Sequence, residues 1–191
     1  LQPPTGRRLP MASRHAAPRR DRRRFRRMLA VMDPNAEPRS IDRYFAHYGA
    51  DHRNPTNQLI HWLCVPAILW SVIALLWTVP VPALLGRPGL WAALAMFLAF
   101  VWYYRQSRRL GLAMALVFVL LAFLTELLFR LLGPRDLALL AVAVFVVAWL
   151  GQFIGHRIEG RKPSFFTDLF YLLVGPAWLM AKAMRRLRVP Y

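Results

Sequence analysis

Four of the five histidines in this 191-residue chain lie in two short polar stretches that are far apart in the sequence. Three lie in HYGADHRNPTNQLIHW, residues 47–62, and the fourth lies in GQFIGHRIEG, residues 151–160. Imidazole is a common ligand of iron, zinc, copper and nickel, and a histidine set with one carboxylate is typical of non-haem iron oxygenases. The residue types therefore predict a transition-metal site, provided that the fold brings the two stretches together.

The spacing within each stretch indicates which polar side chains share a helix face. Asn57 and His61 are four residues apart, and residues with this spacing lie on the same face of an α-helix. Gln152, His156 and Glu159 follow an i, i+4, i+7 pattern and also share one face. One face thus presents asparagine and histidine, and the other presents glutamine, histidine and glutamate.

A turn is needed to bring His52 close to His61, because the two are nine residues apart. On one continuous helix their side chains would point in roughly opposite directions, since each residue turns about 100°. The Asn-Pro pair at 54–55 is a turn signal, and proline suits the first turn of a new helix. His47 is left open: it is either a further ligand or part of the polar face of a short amphipathic helix at 40–52.

The composition and the apolar runs predict a membrane protein. The chain is 57% hydrophobic and yet has a formal net charge of +17, which fits apolar spans with basic flanks better than a soluble domain. A span needs about 20 apolar residues. Four apolar runs are interpreted as spans, at 59–79, 90–104, 110–129 and 137–154. The predicted fold class is therefore all-α, an integral membrane bundle of about four transmembrane helices plus interfacial helices.

The distribution of positive charge places the two histidine stretches on one side of the membrane. Basic residues are concentrated before the first span, in the loop at 105–109 and in the tail, whereas the loop at 80–89 carries a single arginine. Because cytosolic loops are enriched in lysine and arginine, the loaded regions and the predicted metal site face the cytosol. The apolar segment at 164–181 is interpreted as an interfacial or re-entrant helix, with a fifth span as the alternative.

The third apolar run contains one acidic residue, Glu126, with Arg130 one turn later. We interpret them as an i,i+4 ion pair at the membrane face opposite the histidines, rather than as a functional site. A turn around Gly133 and Pro134 separates the third run from the fourth.

The chain is divided into two parts by composition. Residues 1–31 form an Arg- and Pro-rich arm with too few apolar residues to offset its ordering entropy, so we expect it to be disordered. Residues 32–191 are expected to form a single membrane-embedded helical domain. The arm fits binding to anionic lipid, or it is not a genuine part of the protein, since Met28 or Met32 would be a natural start. Aromatic residues do not interleave with the arginines, so no specific nucleic acid is expected.

Two motifs resemble a known family. HRNPTNQLIHWLCVP, residues 52–66, and QFIGHRIEGRKPSFFTDLF, residues 152–170, are similar to the membrane-bound 2-hydroxy fatty acid dioxygenases of fungal α-oxidation and their bacterial relatives. The family pattern is H-x-N-P-x-N-x-x-x-H followed by Q-F-x-G-H-x-x-x-E-x-x-x-P. In this chain the glutamate follows the histidine one residue earlier than in that pattern. The resemblance covers most of residues 40–185 and does not include the arm.

The resemblance implies an Fe(II)-dependent membrane oxygenase that removes one carbon from a 2-hydroxy fatty acid with O2, giving CO2 and a shorter acid. Its partners would be the fatty-acyl substrate, O2 and the lipid bilayer of a bacterial inner membrane or the endoplasmic reticulum. The residues that it assigns are the iron ligands His52, His61 and His156; Glu159 as a ligand or as a support for a histidine; and Asn57 and Gln152 as supporting polar groups. Arg53 and Arg157 each lie beside a predicted ligand, and this position makes them candidates to pair with the substrate carboxylate.

Other classes of function remain open at this stage. Arg53 and Arg157 also fit a role as positive anchors at the membrane surface, without any contact to substrate. The histidines also fit a non-enzymatic metal- or haem-binding membrane protein. A structural membrane protein whose basic arm binds lipid is a further alternative.

Overall fold

The described part of the protein is entirely helical. The computed structural model describes residues 40–160 and 165–191, and for residues 165–171 it describes the backbone alone. Five helices pack into one unit. In chain order they are α1, Ser40–Ala50; α2, Pro55–Thr78; α3, Leu90–Gln106; α4, Arg108–Glu159; and α5, Phe165–Arg186. The predicted all-α class is confirmed for these residues. The arm at 1–31 lies outside them, and the division into domains stays a prediction.

The turn before α2 is built by local side-chain capping. Asn54 has an extended backbone, and its side-chain oxygen accepts hydrogen bonds from the backbone N–H groups of Thr56 and Asn57. Pro55 occupies the first turn, where the missing N–H leaves no helical hydrogen bond unmade. The predicted break between His52 and α2 is therefore confirmed.

Helix α4 is a hairpin of two helical segments joined at Gly133. Gly133 has φ 78° and ψ 170°, and Pro134 follows it. A positive φ is readily adopted by glycine, and the proline ring obstructs helix continuation. The first segment brings Glu126 to the C-terminal end of α2, where its carboxylate accepts a hydrogen bond from Trp77. The second segment returns to the N-terminal end of α2. The predicted turn is thus confirmed, but only Gly133 departs from helical geometry.

Two glycines allow α2 and the second segment of α4 to approach closely. A Cβ atom added at Gly151 would lie within 3.0 Å of Cys64 Sγ, and one added at Gly155 would lie within 3.0 Å of Asn57 Oδ1. Small residues four apart allow helix backbones in membranes to pack at short distance. This contact joins the start of α2 to the end of α4, and therefore joins the two histidine stretches.

Helices α1 and α5 cover the histidine end of the bundle. The buried face of α1 consists of Ile41, Phe45 and Tyr48, and it packs in one cluster with α5 residues that include Trp178. Tyr103 of α3 donates a hydrogen bond to the backbone carbonyl of Leu173 in α5, at 2.7 Å. The predicted amphipathic helix at 40–52 is therefore present, as Ser40–Ala50.

Two of the helices, α2 and α4, are long and apolar enough to cross a membrane. Much of their outer surface is apolar, as shown by Leu63, Phe123 and Val147, each about two-thirds exposed or more. Large exposed apolar surfaces are unusual on soluble monomers. Helix α3 has 17 residues, fewer than the length of about 20 that a span needs, so the count of four spans stays a prediction.

Candidate metal centre

Three of the predicted ligands lie together at the histidine end of the bundle. His52 is in the turn before α2, His61 is in the second turn of α2, and His156 is in the last turn of α4. The ring centroids are 4.3 Å apart for His52 and His61, and 5.4 and 5.5 Å from these to His156. The ligand nitrogens all lie within 4.8 Å of one another. Metal–nitrogen bonds of about 2.0–2.1 Å require a separation of about 3–4 Å, so small side-chain shifts would suffice.

The hydrogen bonds of two histidines leave one nitrogen of each ring available as a ligand. Nδ1 of His52 lies 2.6 Å from the carbonyl oxygen of Tyr48, and Nδ1 of His61 lies 2.8 Å from that of Asn57. A carbonyl only accepts, so each Nδ1 carries the hydrogen and each Nε2 keeps its lone pair. This arrangement is typical of metal-binding histidines.

The same two Nε2 atoms are buried and have no hydrogen-bond partner in the part of the chain that the structure describes. Leaving a buried acceptor unpaired costs roughly 1–3 kcal/mol. A metal ion would satisfy both lone pairs at once. The donor set therefore fits a transition-metal ion that prefers imidazole ligands.

The protonation of His52 agrees with this interpretation. Burial lowers the pKa of His52, the hydrogen bond to the Tyr48 carbonyl opposes that effect, and the charge of His156 adds to it. The ring is therefore neutral at pH 7, which is the form that binds metals.

Glu159 supports the turn that carries His52. Its carboxylate accepts hydrogen bonds from the backbone N–H groups of Arg53, at 2.8 Å, and Asn54, at 3.0 Å. It also accepts a bond of 2.8 Å from the side-chain amide of Asn57. Of the two roles predicted for Glu159, this geometry favours support of a histidine over metal ligation.

The two predicted supporting amides are both buried. Asn57 is completely buried and joins two groups, since its side chain bonds Glu159 and its backbone carbonyl accepts from His61. Gln152 is 6% exposed and lies one helical turn before His156. Its Nε2 atom has no hydrogen-bond partner among the described residues.

Two aromatic rings lie against His52, and neither was predicted from the sequence to belong to the site. Tyr48 stacks on His52 with centroids 4.1 Å apart and an interplanar angle of 18°. Trp178 of α5 lies 5.8 Å from the same ring. The four-residue spacing of Tyr48 and His52 was a usable signal for the first contact. No local spacing indicates the second, because Trp178 is far away in the sequence.

A cleft of about 610 Å³ opens beside His52, between α1 and α5. Its lining includes three cations of α5, Lys182, Arg185 and Arg186. In the sequence, these three cations indicate only which side of the membrane faces the cytosol.

The predicted carboxylate partners Arg53 and Arg157 are both exposed, and neither is among the residues that line the cleft. His47 is also exposed, on the outer face of α1, and lies outside the three-histidine cluster.

The fold and the site define a helical protein with a buried histidine cluster suited to a transition metal. The chain belongs to the family described as 2-hydroxy-palmitic acid dioxygenase Mpo1-like, which it matches over residues 38–187. It is 27% identical over 139 residues to the 2-hydroxy-palmitic acid dioxygenase MPO1 of Saccharomyces cerevisiae, covering 71% of this chain and 75% of the yeast protein. No solved structure matches the chain. The family predicted from the two motifs is thus confirmed.

Proposed function

We propose that this protein is an iron(II)-dependent membrane oxygenase that removes one carbon from 2-hydroxy fatty acids with O2. The observation that carries the proposal is the pair of buried, unpartnered Nε2 atoms of His52 and His61 beside His156. Family membership supports the dioxygenase chemistry, and the donor set supports the metal.

The proposed reaction balances without an external reductant. A 2-hydroxy acid and O2 yield the acid one carbon shorter, CO2 and water. The bond between the carboxyl carbon and the hydroxyl-bearing carbon breaks. These two carbons lose four electrons in total, and O2 gains four. The iron, when bound, would supply the activation of O2.

The residues of the chain hold and orient the reacting groups. His52, His61 and His156 hold the iron, and the carbonyls of Tyr48 and Asn57 fix the ring tautomers of the first two. Such supporting hydrogen bonds raise metal affinity and fix the ring orientation.

Two further polar residues act on this arrangement. Glu159 keeps the turn of His52 against the end of α4. Gln152 offers a buried N–H donor to an oxygen atom of the substrate.

We further propose that four helical segments cross the membrane, namely α2, α3 and the two segments of α4, with the histidine end at the cytosolic face. The cations of the cleft lie at that end, in agreement with the enrichment of lysine and arginine on the cytosolic side. A site at this depth can receive a polar head group while the acyl chain stays in the bilayer.

The test is metal analysis and O2 uptake of the full chain purified in detergent. We expect about one iron per chain, uptake of one O2 per 2-hydroxypalmitate without added reductant, and the C15 acid as product. Palmitate, which lacks the hydroxyl, is the matched control and should give no uptake. Absence of iron, or uptake that depends on a reductant, would contradict the proposal. A Soret band would instead support the haem-binding alternative.

A further inference from the structure

The charges that line the cleft favour an anion. Lys182, Arg185 and Arg186 face it from α5, and Asp42 is the acidic residue of its lining. His52 also lines it. The cleft is therefore positive, and it opens directly beside a predicted metal ligand.

Lys182 is placed to give hydrogen bonds to such an anion. Its Nζ atom lies 3.8 Å from the ring centroid of Trp178 and donates a hydrogen bond of 2.7 Å to Oε1 of Gln58. An ammonium group has three N–H donors. The bond to Gln58 is the only hydrogen bond that Lys182 makes within the described part of the chain, which leaves donors for a ligand.

The charged groups that act on Lys182 are two neighbouring cations. Burial lowers the pKa of Lys182, and the positive charges of Arg186 and Arg185 lower it further. A bound carboxylate would oppose both effects, because it offsets the neighbouring cations and pairs with the partly buried ammonium.

A short chain of contacts connects Lys182 to the metal site. The Gln58 side chain that accepts from Lys182 also donates, through Nε2, a hydrogen bond of 2.7 Å to the backbone carbonyl of His52. The ring of Trp178, beneath Lys182, lies 5.8 Å from the ring of His52. In a 2-hydroxy acid the carbon to be oxidised is bonded directly to the carboxylate. A head group held at Lys182 would therefore direct that carbon toward the histidine cluster.

We propose that Lys182 binds the carboxylate of the fatty-acyl substrate in this cleft, with Gln58 holding the ammonium in position, an inference that rests on the proposed function. Carboxylate binding is thereby assigned to a lysine of α5 and not to Arg53 and Arg157, which do not line the cleft. Arg185 and Arg186 add to the positive potential. Trp178 shields the ammonium on one face and orients it through its cation–π contact.

The test compares binding of 2-hydroxypalmitate and its methyl ester to the metal-free full chain, in wild type and in Lys182→Met. Wild type should prefer the acid over the uncharged ester. In Lys182→Met that preference should fall by about 10- to 100-fold, the usual effect of losing a hydrogen bond to a charged group. Ester binding should change little. Comparing variants at one detergent concentration cancels the partition of each ligand into micelles.

Three further variants give the control and the expected range of the effect. Arg105→Met removes a positive charge at the same end of the molecule, from an exposed side chain outside the cleft, and should keep the acid preference. Lys182→Arg should restore part of it, because the charge returns with a different shape. Lys182→Gln, which keeps a donor without the charge, replaces Lys182→Met if the latter does not fold, and should lose the preference equally.

The outcomes separate this inference from the proposed function. An acid preference that survives in folded Lys182→Met, or that exists only after iron is added, would overturn the inference, since the metal would then be the carboxylate receptor. A protein without iron and without O2 uptake would contradict the proposed function. The acid preference of the metal-free protein would still report on Lys182 in that case.

Discussion

Glu126 and the three histidines occupy opposite ends of the bundle and are paired in different ways. Glu126 accepts hydrogen bonds from Arg130, at 2.6 Å, and from the indole of Trp77, at 3.2 Å. Nδ1 of His52 and Nδ1 of His61 each donate a hydrogen bond to a backbone carbonyl, but their Nε2 atoms remain without a partner among the described residues. Polar groups in apolar helices are costly unless paired. The acidic residue is thus explained by its own partners, whereas the described residues offer no partner to the Nε2 atoms of His52 and His61.

Among the variants that test this comparison, His61→Ala should have the largest effect on bound iron and O2 uptake. The substitution removes a buried nitrogen from the centre of the cluster, so we expect loss of nearly all bound iron and of O2 uptake. Elemental analysis of the purified variant gives the direct measurement. A variant that kept full iron content would mean that the unpaired Nε2 atoms do not mark a metal site.

Glu159→Ala should have the next largest effect. Two hydrogen bonds to the turn of His52 and one to the side chain of Asn57 are lost, and loss of such supporting groups typically lowers metal affinity by about 10- to 100-fold. Glu159→Gln keeps an acceptor oxygen and should lie between the wild type and Glu159→Ala. Competition with a metal chelator measures the affinities. Equal, complete loss of metal in both variants would instead indicate that Glu159 is itself a ligand.

Gly155→Ala tests the packing that joins the two histidine stretches. The added methyl group would meet the side chain of Asn57 at less than contact distance. Overpacking of this kind costs about 1–3 kcal/mol, so thermal unfolding should begin at a lower temperature. Gly49→Ala is the control for a glycine-to-alanine change in a helix, because its added Cβ would lie 3.4 Å from Trp178, an ordinary contact. Similar destabilisation by both variants would contradict a special role for Gly155.

The smallest effect is expected for Glu126→Gln at the other end of the bundle. Exposed i,i+4 ion pairs are worth about 0.3–0.5 kcal/mol, and glutamine still accepts a hydrogen bond from Trp77. Iron content and O2 uptake should be unchanged, and the midpoint of unfolding should move by a degree or so at most. Loss of iron in this variant would contradict the conclusion that Glu126 and the histidine cluster are independent of each other.

The predictable parts of the molecule are those set by local sequence and by charge. Pro55 and the Asn54 cap determine where α2 begins, and both are recognisable in the sequence. The Gly-Pro pair at 133–134 marks the hairpin of α4 in the same way. The charge bias along the chain placed His61 and His156 at one end before any contact between them was known.

The residues that escaped prediction depend on contacts between distant helices. Lys182 and Gln58 are 124 residues apart in the chain. Lys182 lies outside both motifs, and Gln58 is at a position of the first motif where the pattern specifies no residue type. A cation in a cleft and a cation at a membrane surface look alike in sequence, so Lys182 was interpreted as a topological signal. The role of Glu159 stayed open for a similar reason, because its partners are backbone N–H groups that carry no sequence signature.

The bond between Arg53 and Glu159 has a consequence for synthesis of the protein. The two residues are 106 positions apart in the chain, with α2, α3 and most of α4 between them. A nascent chain therefore holds His52 and His61 for about half of its elongation without the third histidine or the Glu159 carboxylate that bonds the turn. Under the proposed function, metal loading follows the insertion of the second segment of α4, so a chain that ends before residue 151 should insert into a membrane without binding iron.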